Sequence, residues 1–192
     1  AARELFTTAG YHATTTPMLA RHAGVAEGTI YRHFPSKDAL LNAAYQEAQQ
    51  AGTARLRELA DGPGRTDERL AVLGQEWLAL AEADPARMRL LLGWQLPGEL
   101  NEASKAAAAE LRQELERLIA RGKQEGSIRA GLVELWTMIW LTLVSAAVLR
   151  VASREWTARH PHAIATLDAA WEAIAWRPIP VAPPGRDTTT SQ

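Results

Sequence analysis

Apolar residues recur every three or four positions along most of this 192-residue chain, and no run alternates between apolar and polar residues. This spacing matches one face of an α-helix, whereas strict alternation is typical of a strand. The sequence therefore predicts an all-α fold. The predicted helices span roughly residues 1–9, 14–23, 26–34, 37–60, 66–83, 85–96, 101–124, 132–153 and 161–176, with a possible bend at Gly52.

Residues 14–37 predict two short helices joined by a tight turn. Ala20 is small where two helices must approach, and Gly24 follows four residues later, where the turn needs a positive φ. Val25 and Ile30 are expected to pack the second helix against the first. This layout is typical of a helix-turn-helix, whose second helix can enter a major groove about 12 Å wide.

A dense string of residues strengthens this reading. It consists of Leu5-Phe6, Gly10-Tyr11, Thr14-Thr15, Ala20, Ala23-Gly24-Val25, Gly28-Thr29-Ile30-Tyr31, His33-Phe34, Ser36-Lys37 and Leu40-Leu41. With these residues the segment resembles the DNA-binding domain of the TetR family of transcriptional regulators. The resemblance implies a repressor, usually dimeric, that binds double-stranded operator DNA, and a C-terminal helical domain that binds a small-molecule effector and forms the homodimer.

The resemblance also implies which side chains contact DNA. The expected partners of backbone phosphates are Thr15 or Thr16, Thr29, Tyr31, His33 and Lys37. Hydroxyl and ammonium groups bind phosphates well, and such contacts position a protein without reading the base sequence. We nominate exposed residues early in the second and third helices as readers of base edges, namely Pro17, Glu27, Gly28 and Arg32.

Glu27 and the charge of the N-terminal region depart from a typical DNA binder. Phosphates repel Glu27 unless it accepts a hydrogen bond from cytosine; alternatively it only complements the helix dipole. Residues 1–50 contain four basic and four acidic side chains, and the whole chain has a formal charge of −1. The sequence starts without Met in a helical pattern, so we expect native residues before Ala1, and the family resemblance implies that they include basic ones.

All seven Trp residues follow residue 76, which favours either core and dimer packing or an aromatic ligand pocket. The predicted pocket wall is Trp77, Met88, Leu91, Leu92, Trp94, Trp136, Ile139 and Trp140. If Glu134 faced such a pocket, the ligand could be cationic. The alternative is that Glu134 stabilises a helix N-terminus.

The helix predicted over residues 132–153 is apolar almost all round, so a partner must cover part of it. With the last helix it predicts a dimer interface formed by Leu143, Ala147, Leu167, Trp171 and Ile174. Its uncharged stretch, Leu135 to Leu149, is short for a membrane span. We therefore predict a cytoplasmic protein without a membrane contact.

These patterns predict three regions: a helix-turn-helix DNA-binding domain over residues 1–45, a helical ligand-binding and dimerisation domain over residues 46–177, and a disordered tail over residues 178–192. The chain has no Cys, which excludes disulfides and thiolate sites. We expect no cofactor, metal site or catalytic residue, since no nucleophile, zinc or phosphate-loop motif is present. The alternatives are a helical interaction protein with lost or weak DNA binding, and a transcriptional activator.

Overall fold

The computed structural model is all-α, as predicted, and describes residues 4–6, 11, 13–93 and 100–177. The helices are α1 over residues 4–6, α2 Thr16–Ala23, α3 Glu27–His33, α4 Lys37–Asp61, α5 Thr66–Ala83, α6 Pro85–Leu91, α7 Glu102–Gln124, α8 Val133–Ala152 and α9 Pro161–Ile174. Among the described residues, β pairing is confined to a single bridge between Ile128 and Ala175.

Most helix ends fall within two residues of the predicted positions. The helix α9 ends at Ile174 rather than at Trp176, because the chain turns there to pair with the segment after α7. The backbone N–H of Trp176 donates to the carbonyl of Ser127 at 2.8 Å. Helix α6 ends at Leu91, well before the predicted end near residue 96, because Leu92 and Gly93 form a turn in which Gly93 has a φ of 67°. The predicted end of the first helix at Ala9, the segment Pro97-Gly98 and the tail over residues 178–192 lie outside the described residues.

The larger hydrophobic core lies among α5 to α9, with α8 near its centre. Helix α8 packs against α5, α6, α7 and α9. By length and composition it could cross a membrane, but core helices of soluble proteins meet the same criterion. Its inner face, which includes Trp140, Val144 and Val148, is buried against the neighbouring helices, as predicted for a buried helix.

A smaller core lies at the N-terminal end of the chain and is built on α4. Its buried members are Phe6, Tyr11, Leu19, Leu41, Tyr45, Ala48 and Leu90. The 25-residue helix α4 is about 37 Å long at 1.5 Å per residue, and it contributes Leu56 to the larger core as well. The predicted domain boundary between residues 45 and 46 therefore falls inside one continuous helix, and it stays a prediction.

Candidate nucleic-acid interface

The start of α2 is capped by Thr15. Its hydroxyl oxygen accepts from the backbone N–H of Met18 at 3.4 Å, and Pro17 occupies the first turn, where its missing N–H costs nothing. The hydroxyl of Thr15 can still donate its own hydrogen, since a hydroxyl is both donor and acceptor. Thr15 and Pro17 are exposed and Thr16 is half-buried, so this helix start is accessible from solvent.

The turn between α2 and α3 depends on Gly24, whose φ of 67° lies in the left-handed region. A side chain is strained in that conformation, which explains glycine here. The N–H of Val25 closes the turn by donating to the carbonyl of Ala20 at 3.0 Å. The side chain of Val25 is 42% exposed, so the expectation that it packs α3 onto α2 is wrong, and half-buried Ile30 has that role.

Helix α3 presents most of its surface to solvent. None of its residues is buried, and Glu27, Gly28, Tyr31, Arg32 and His33 are exposed. An α-helix with its side chains is about 10–12 Å across, which a major groove about 12 Å wide accommodates. Such an exposed short helix is the part of a helix-turn-helix that can enter a groove.

Lys37 joins the start of α4 to the segment before α2. Its ammonium donates to the carbonyls of Tyr11 and Thr14, at 2.9 and 3.0 Å, and lies 4.1 Å from the centroid of the Tyr11 ring. These contacts place the N-termini of α2 and α4 side by side, and helix N-termini favour anions. Two of the three ammonium hydrogens are thereby used inside the chain, so a phosphate contact from Lys37 would rely on the third.

Tyr11 and Asp38 add a further link that the sequence reasoning did not identify. The hydroxyl of Tyr11 donates to the carboxylate of Asp38 in the first turn of α4. Burial, together with this hydrogen bond and the charge of Asp38, raises the pKa of Tyr11 to about 12. Apart from its place in the Gly10-Tyr11 motif, nothing in the sequence indicates that Tyr11 links the segment before α2 to α4 through Asp38.

All ten predicted DNA-contacting residues are exposed or half-buried, at the start of α2, along α3 or at the start of α4. The exposed cations of this region include Arg21 and Arg32. His22 instead pairs with Glu4, with 2.8 Å between its Nε2 and a carboxylate oxygen. The structure therefore leaves the predicted residues accessible, and their individual roles stay predictions.

Residues 1–44 match the family described as "Bacterial regulatory proteins, tetR family". The crystal structure of the MbdR regulator from Azoarcus sp. CIB superposes with a TM-score of 0.75 at 25% identity, over 90% of this chain and 94% of that one. The chain belongs to the TetR family. This is a family of soluble DNA-binding regulators and not of enzymes, in agreement with the sequence prediction.

Curated relatives of this TetR-family chain are named "Nucleoid occlusion factor SlmA". The protein from Marinobacter nauticus is 35% identical over 118 residues, which is 62% of this chain and 60% of that protein. The protein from Vibrio campbellii is 32% identical over 130 residues, 68% of this chain and 66% of that protein. The chain thus spans slightly less than two thirds of the length of the curated relatives it matches.

A solved structure with a bound ligand shares the fold. FadR from Bacillus subtilis in complex with stearoyl-CoA superposes with a TM-score of 0.70 at 23% identity, over 89% of this chain and 92% of that one. This likeness concerns the whole architecture, from the N-terminal helix-turn-helix to the C-terminal helical domain.

In the C-terminal region, the predicted pocket wall is largely part of the packed core. Trp77, Met88 and Leu91 are at most 5% exposed and pack inside the larger core, and their role as a pocket wall stays a prediction. Half-buried Leu92 and Ile139 pack against the same core, and Trp94 lies outside the described residues.

The two remaining predicted wall residues differ from each other. Trp136 packs against Gly131, and its ring centroid lies 5.4 Å from the guanidinium carbon of Arg129. Trp140 does line a cavity of about 300 Å³, which is formed between α5 and α9. Its ring also packs on Trp77, with 5.9 Å between centroids. Glu134, which the sequence allowed to face a pocket, is exposed in the first turn of α8.

The predicted dimer residues fall into two groups. Ala147 and Ile174 are fully buried inside the chain, so they cannot contact a second subunit directly, and this part of the prediction is wrong. Leu143, Leu167 and Trp171 are half-buried. Other large apolar side chains of α8 and α9 are exposed instead: Leu135, Met138, Leu149 and Ile164.

No three His, Asp or Glu side chains form a metal-binding group within the described residues. At the start of α9 the ring centroids of His160 and His162 lie 4.9 Å apart, and both rings pack on Trp156, which precedes the helix. The Nδ1 of His160 accepts from the N–H of His162 at 3.2 Å, which makes this imidazole the cap of α9.

Proposed function

We propose that this protein is a ligand-responsive transcriptional repressor that binds a pseudo-palindromic operator as a homodimer and is released by a small, mainly apolar effector. The observation that carries the proposal is the exposed helix α3, presented by the Gly24 turn and fixed to α4 through the small core. A helix held in this way can enter a major groove while its neighbours contact the flanking phosphates.

We assign phosphate contacts to the two ends of the helix-turn-helix. Thr15 and Thr16 lie at the start of α2, and Lys37 lies beside them at the start of α4. Thr29, Tyr31 and His33 complete the set along α3, and base edges are assigned to Pro17, Glu27, Gly28 and Arg32. Arg32 is the strongest candidate for base reading, since a guanidinium can bind guanine with two hydrogen bonds.

We assign the dimer interface to the outer faces of α8 and α9. Four large apolar side chains are exposed on these two helices, namely Leu135, Met138, Leu149 and Ile164. Covering them by the same surface of a second subunit removes them from water and produces a two-fold axis. A two-fold dimer places two copies of α3 on two half-sites, which explains a pseudo-palindromic operator.

The coupling between effector and DNA is assigned to contacts that tie α4 to α6. The amide of buried Gln49 on α4 donates to the carbonyls of Leu90 and Leu91 at the end of α6, at 3.1 and 2.9 Å. A Cβ on Gly52 would lie 2.6 Å from Cδ1 of Leu91, so the two helices touch closely there. A shift of α6 must therefore move α4, and with it the DNA-binding region.

A second tie joins α4 to the start of α7. Asn42 accepts with its Oδ1 from the backbone N–H of Asn101 at 2.9 Å and from the hydroxyl of Ser104 at 2.6 Å. Gln46 donates to Ser104 at 3.0 Å. An effector releases DNA only if it binds the DNA-incompetent conformation better, and these ties are where the two conformations would differ. The stearoyl-CoA bound by the FadR neighbour supports an effector with a large apolar part.

The test is fluorescence anisotropy of the full chain with labelled DNA from upstream of its own gene and with a scrambled duplex, titrated with salt. We expect selective binding with a steep salt dependence. Arg32→Ala should weaken binding to the upstream DNA by about 1–3 kcal/mol and reduce the preference over the scrambled duplex. Arg112→Ala, an exposed arginine on α7, is the matched control and should leave both unchanged. Equal binding of both duplexes by all three proteins would contradict an operator upstream of the protein's own gene.

A helical interaction protein with weak DNA binding is a second candidate, favoured by the charge of the N-terminal region. Residues 1–50 have no net charge, and Glu27 is exposed on α3. Lys37 donates two of its three ammonium hydrogens to carbonyls of the same chain. No binding to either duplex at low salt would support this candidate. An activator would bind the same DNA but raise transcription from a reporter promoter, whereas the repressor lowers it.

The name of the curated relatives favours a third candidate, a nucleoid occlusion factor. A protein that acts on the nucleoid as a whole would occupy sites spread over the chromosome, whereas a repressor would occupy a few promoters. Mapping the bound sites in cells separates the two candidates.

A further inference from the structure

The cavity between α5 and α9 combines aromatic walls with acidic groups. Trp140 of α8 and Trp171 and Leu167 of α9 form part of its apolar lining. The cavity measures about 300 Å³, at the lower end of the range of roughly 300–1,000 Å³ for small-molecule sites. It can therefore hold a compact molecule with one or two rings.

All the charged residues that line the cavity are carboxylates: Asp67 and Glu68 from α5, and Asp168 from α9. The first two are partly balanced by Arg65, which lies 3.3 Å from Asp67 and donates its backbone N–H to Glu68 at 3.0 Å. No ion pair to Asp168 is present within the described part of the chain. The three carboxylates and the one guanidinium leave a net negative charge at the cavity.

We propose that this cavity binds a small organic cation with a flat, apolar body. Indole rings attract cations through their negative faces, and a carboxylate at the mouth adds a Coulombic attraction. An anionic ligand would meet three carboxylates and no basic residue in the lining. A neutral ligand would gain from the apolar walls alone, so the acidic groups select for positive charge.

The position of the cavity gives its occupant a route to the dimer. Leu167, Trp171 and Asp168 all belong to α9, and Ile164 on the same helix is exposed and also lines the cavity. A bound cation would therefore touch the helix to which we assign part of the dimer interface. The claim that this cation acts as an effector rests on the proposed function, whereas the claim that the cavity binds it does not.

Isothermal titration calorimetry of the full chain tests the binding directly. The probe is N-methylquinolinium, and the comparison ligand is quinoline at a pH where quinoline is neutral, because the two differ mainly in charge. We expect the cation to bind at least about tenfold more tightly than quinoline. Asp168→Asn should weaken cation binding about three- to tenfold and leave quinoline unchanged.

The matched control is Glu134→Gln, which removes an exposed carboxylate of α8 outside the cavity and should not change cation binding. Trp171→Leu is a second variant and should weaken both ligands. The proposal is overturned if cation and quinoline bind equally, if Asp168→Asn has no effect, or if no heat is detected up to about 1 mM cation. The last result includes the case in which a second subunit fills the cavity.

The anisotropy assay with DNA distinguishes the two claims. Cation binding by a protein that does not bind DNA selectively would sustain the cavity proposal and refute the repressor. Selective DNA binding without cation binding would refute the cavity proposal alone.

Discussion

Gln49→Met removes the buried amide that holds the end of α6 to α4 while keeping a similar side-chain volume. In the structure the amide nitrogen of Gln49 donates to the carbonyls of Leu90 and Leu91. The carbonyl of Leu90 also accepts from the N–H of Gly93 at 3.1 Å, whereas the carbonyl of Leu91 has Gln49 as its only donor among residues 4–6, 11, 13–93 and 100–177, so the loss falls mainly on Leu91.

The magnitude follows from three contributions. An unsatisfied buried carbonyl at Leu91 costs about 1–3 kcal/mol, and the lost second bond at Leu90 costs about 0.5–1.5 kcal/mol. In the opposite direction, the Oε1 of Gln49 is itself buried without a hydrogen-bond partner, and removing it gains about 1–2 kcal/mol. The expected net loss in the free energy of unfolding is about 1–2 kcal/mol.

Urea unfolding followed by circular dichroism measures this loss, at one fixed protein concentration because a dimer's stability depends on concentration. The adjacent Gln50 is exposed, so Gln50→Met is a matched control and should change the stability by less than about 0.5 kcal/mol. If Gln49→Met were as stable as the control, the carbonyl contacts would not hold α6 to α4, and the proposed coupling would lose its physical basis.

Three further predictions concern the turn, the Tyr11 hydroxyl and the dimer. Gly24→Ala should lower the free energy of unfolding by about 1–2 kcal/mol because of its positive φ, whereas Gly28→Ala, which meets no atom within 4 Å, should not destabilise the chain. Because its folded pKa of about 12 exceeds its ordinary value of 10.0, Tyr11 contributes stability that is present below pH 10 and lost as the pH rises towards 12. Unfolding curves of Tyr11→Phe should lose less stability over that interval than those of the wild type, and equal losses would contradict this origin. Met138→Glu should shift sedimentation from dimer to monomer, and Val72→Glu, an exposed apolar position on α5, should not.

The sequence predicts most of the architecture because helix starts and stops have local causes. Asn101 and Ser36 cap α7 and α4 through side-chain oxygens, as their positions before helical patterns suggest. Helix α4 continues through Gly52, where the sequence suggested a bend. The glycine is explained instead by Leu91, whose side chain packs against the backbone of Gly52. Such a close approach depends on a distant helix and leaves no local signal.

The errors arise where a residue's surroundings depend on more than one helix. Helical periodicity places Ala147 and Ile174 on apolar faces, but it cannot tell whether such a face meets the same chain or a second subunit. At the cavity, Asp168 on α9 is far in sequence from Asp67 and Glu68 on α5, and no pattern in the sequence joins them. Gln49 lies four residues after Tyr45 on the buried face of α4, so its burial, though not its partners, could have been anticipated.

Selection of bound DNA from a pool of randomised duplexes by the full chain tests the central claim most directly, because it does not depend on where the operator lies. The account predicts enrichment of a two-fold symmetric sequence whose half-sites are separated by about one helical turn, or a multiple of it, and loss of that enrichment in Arg32→Ala. Failure to enrich any sequence over the starting pool at low salt would contradict a sequence-specific regulator.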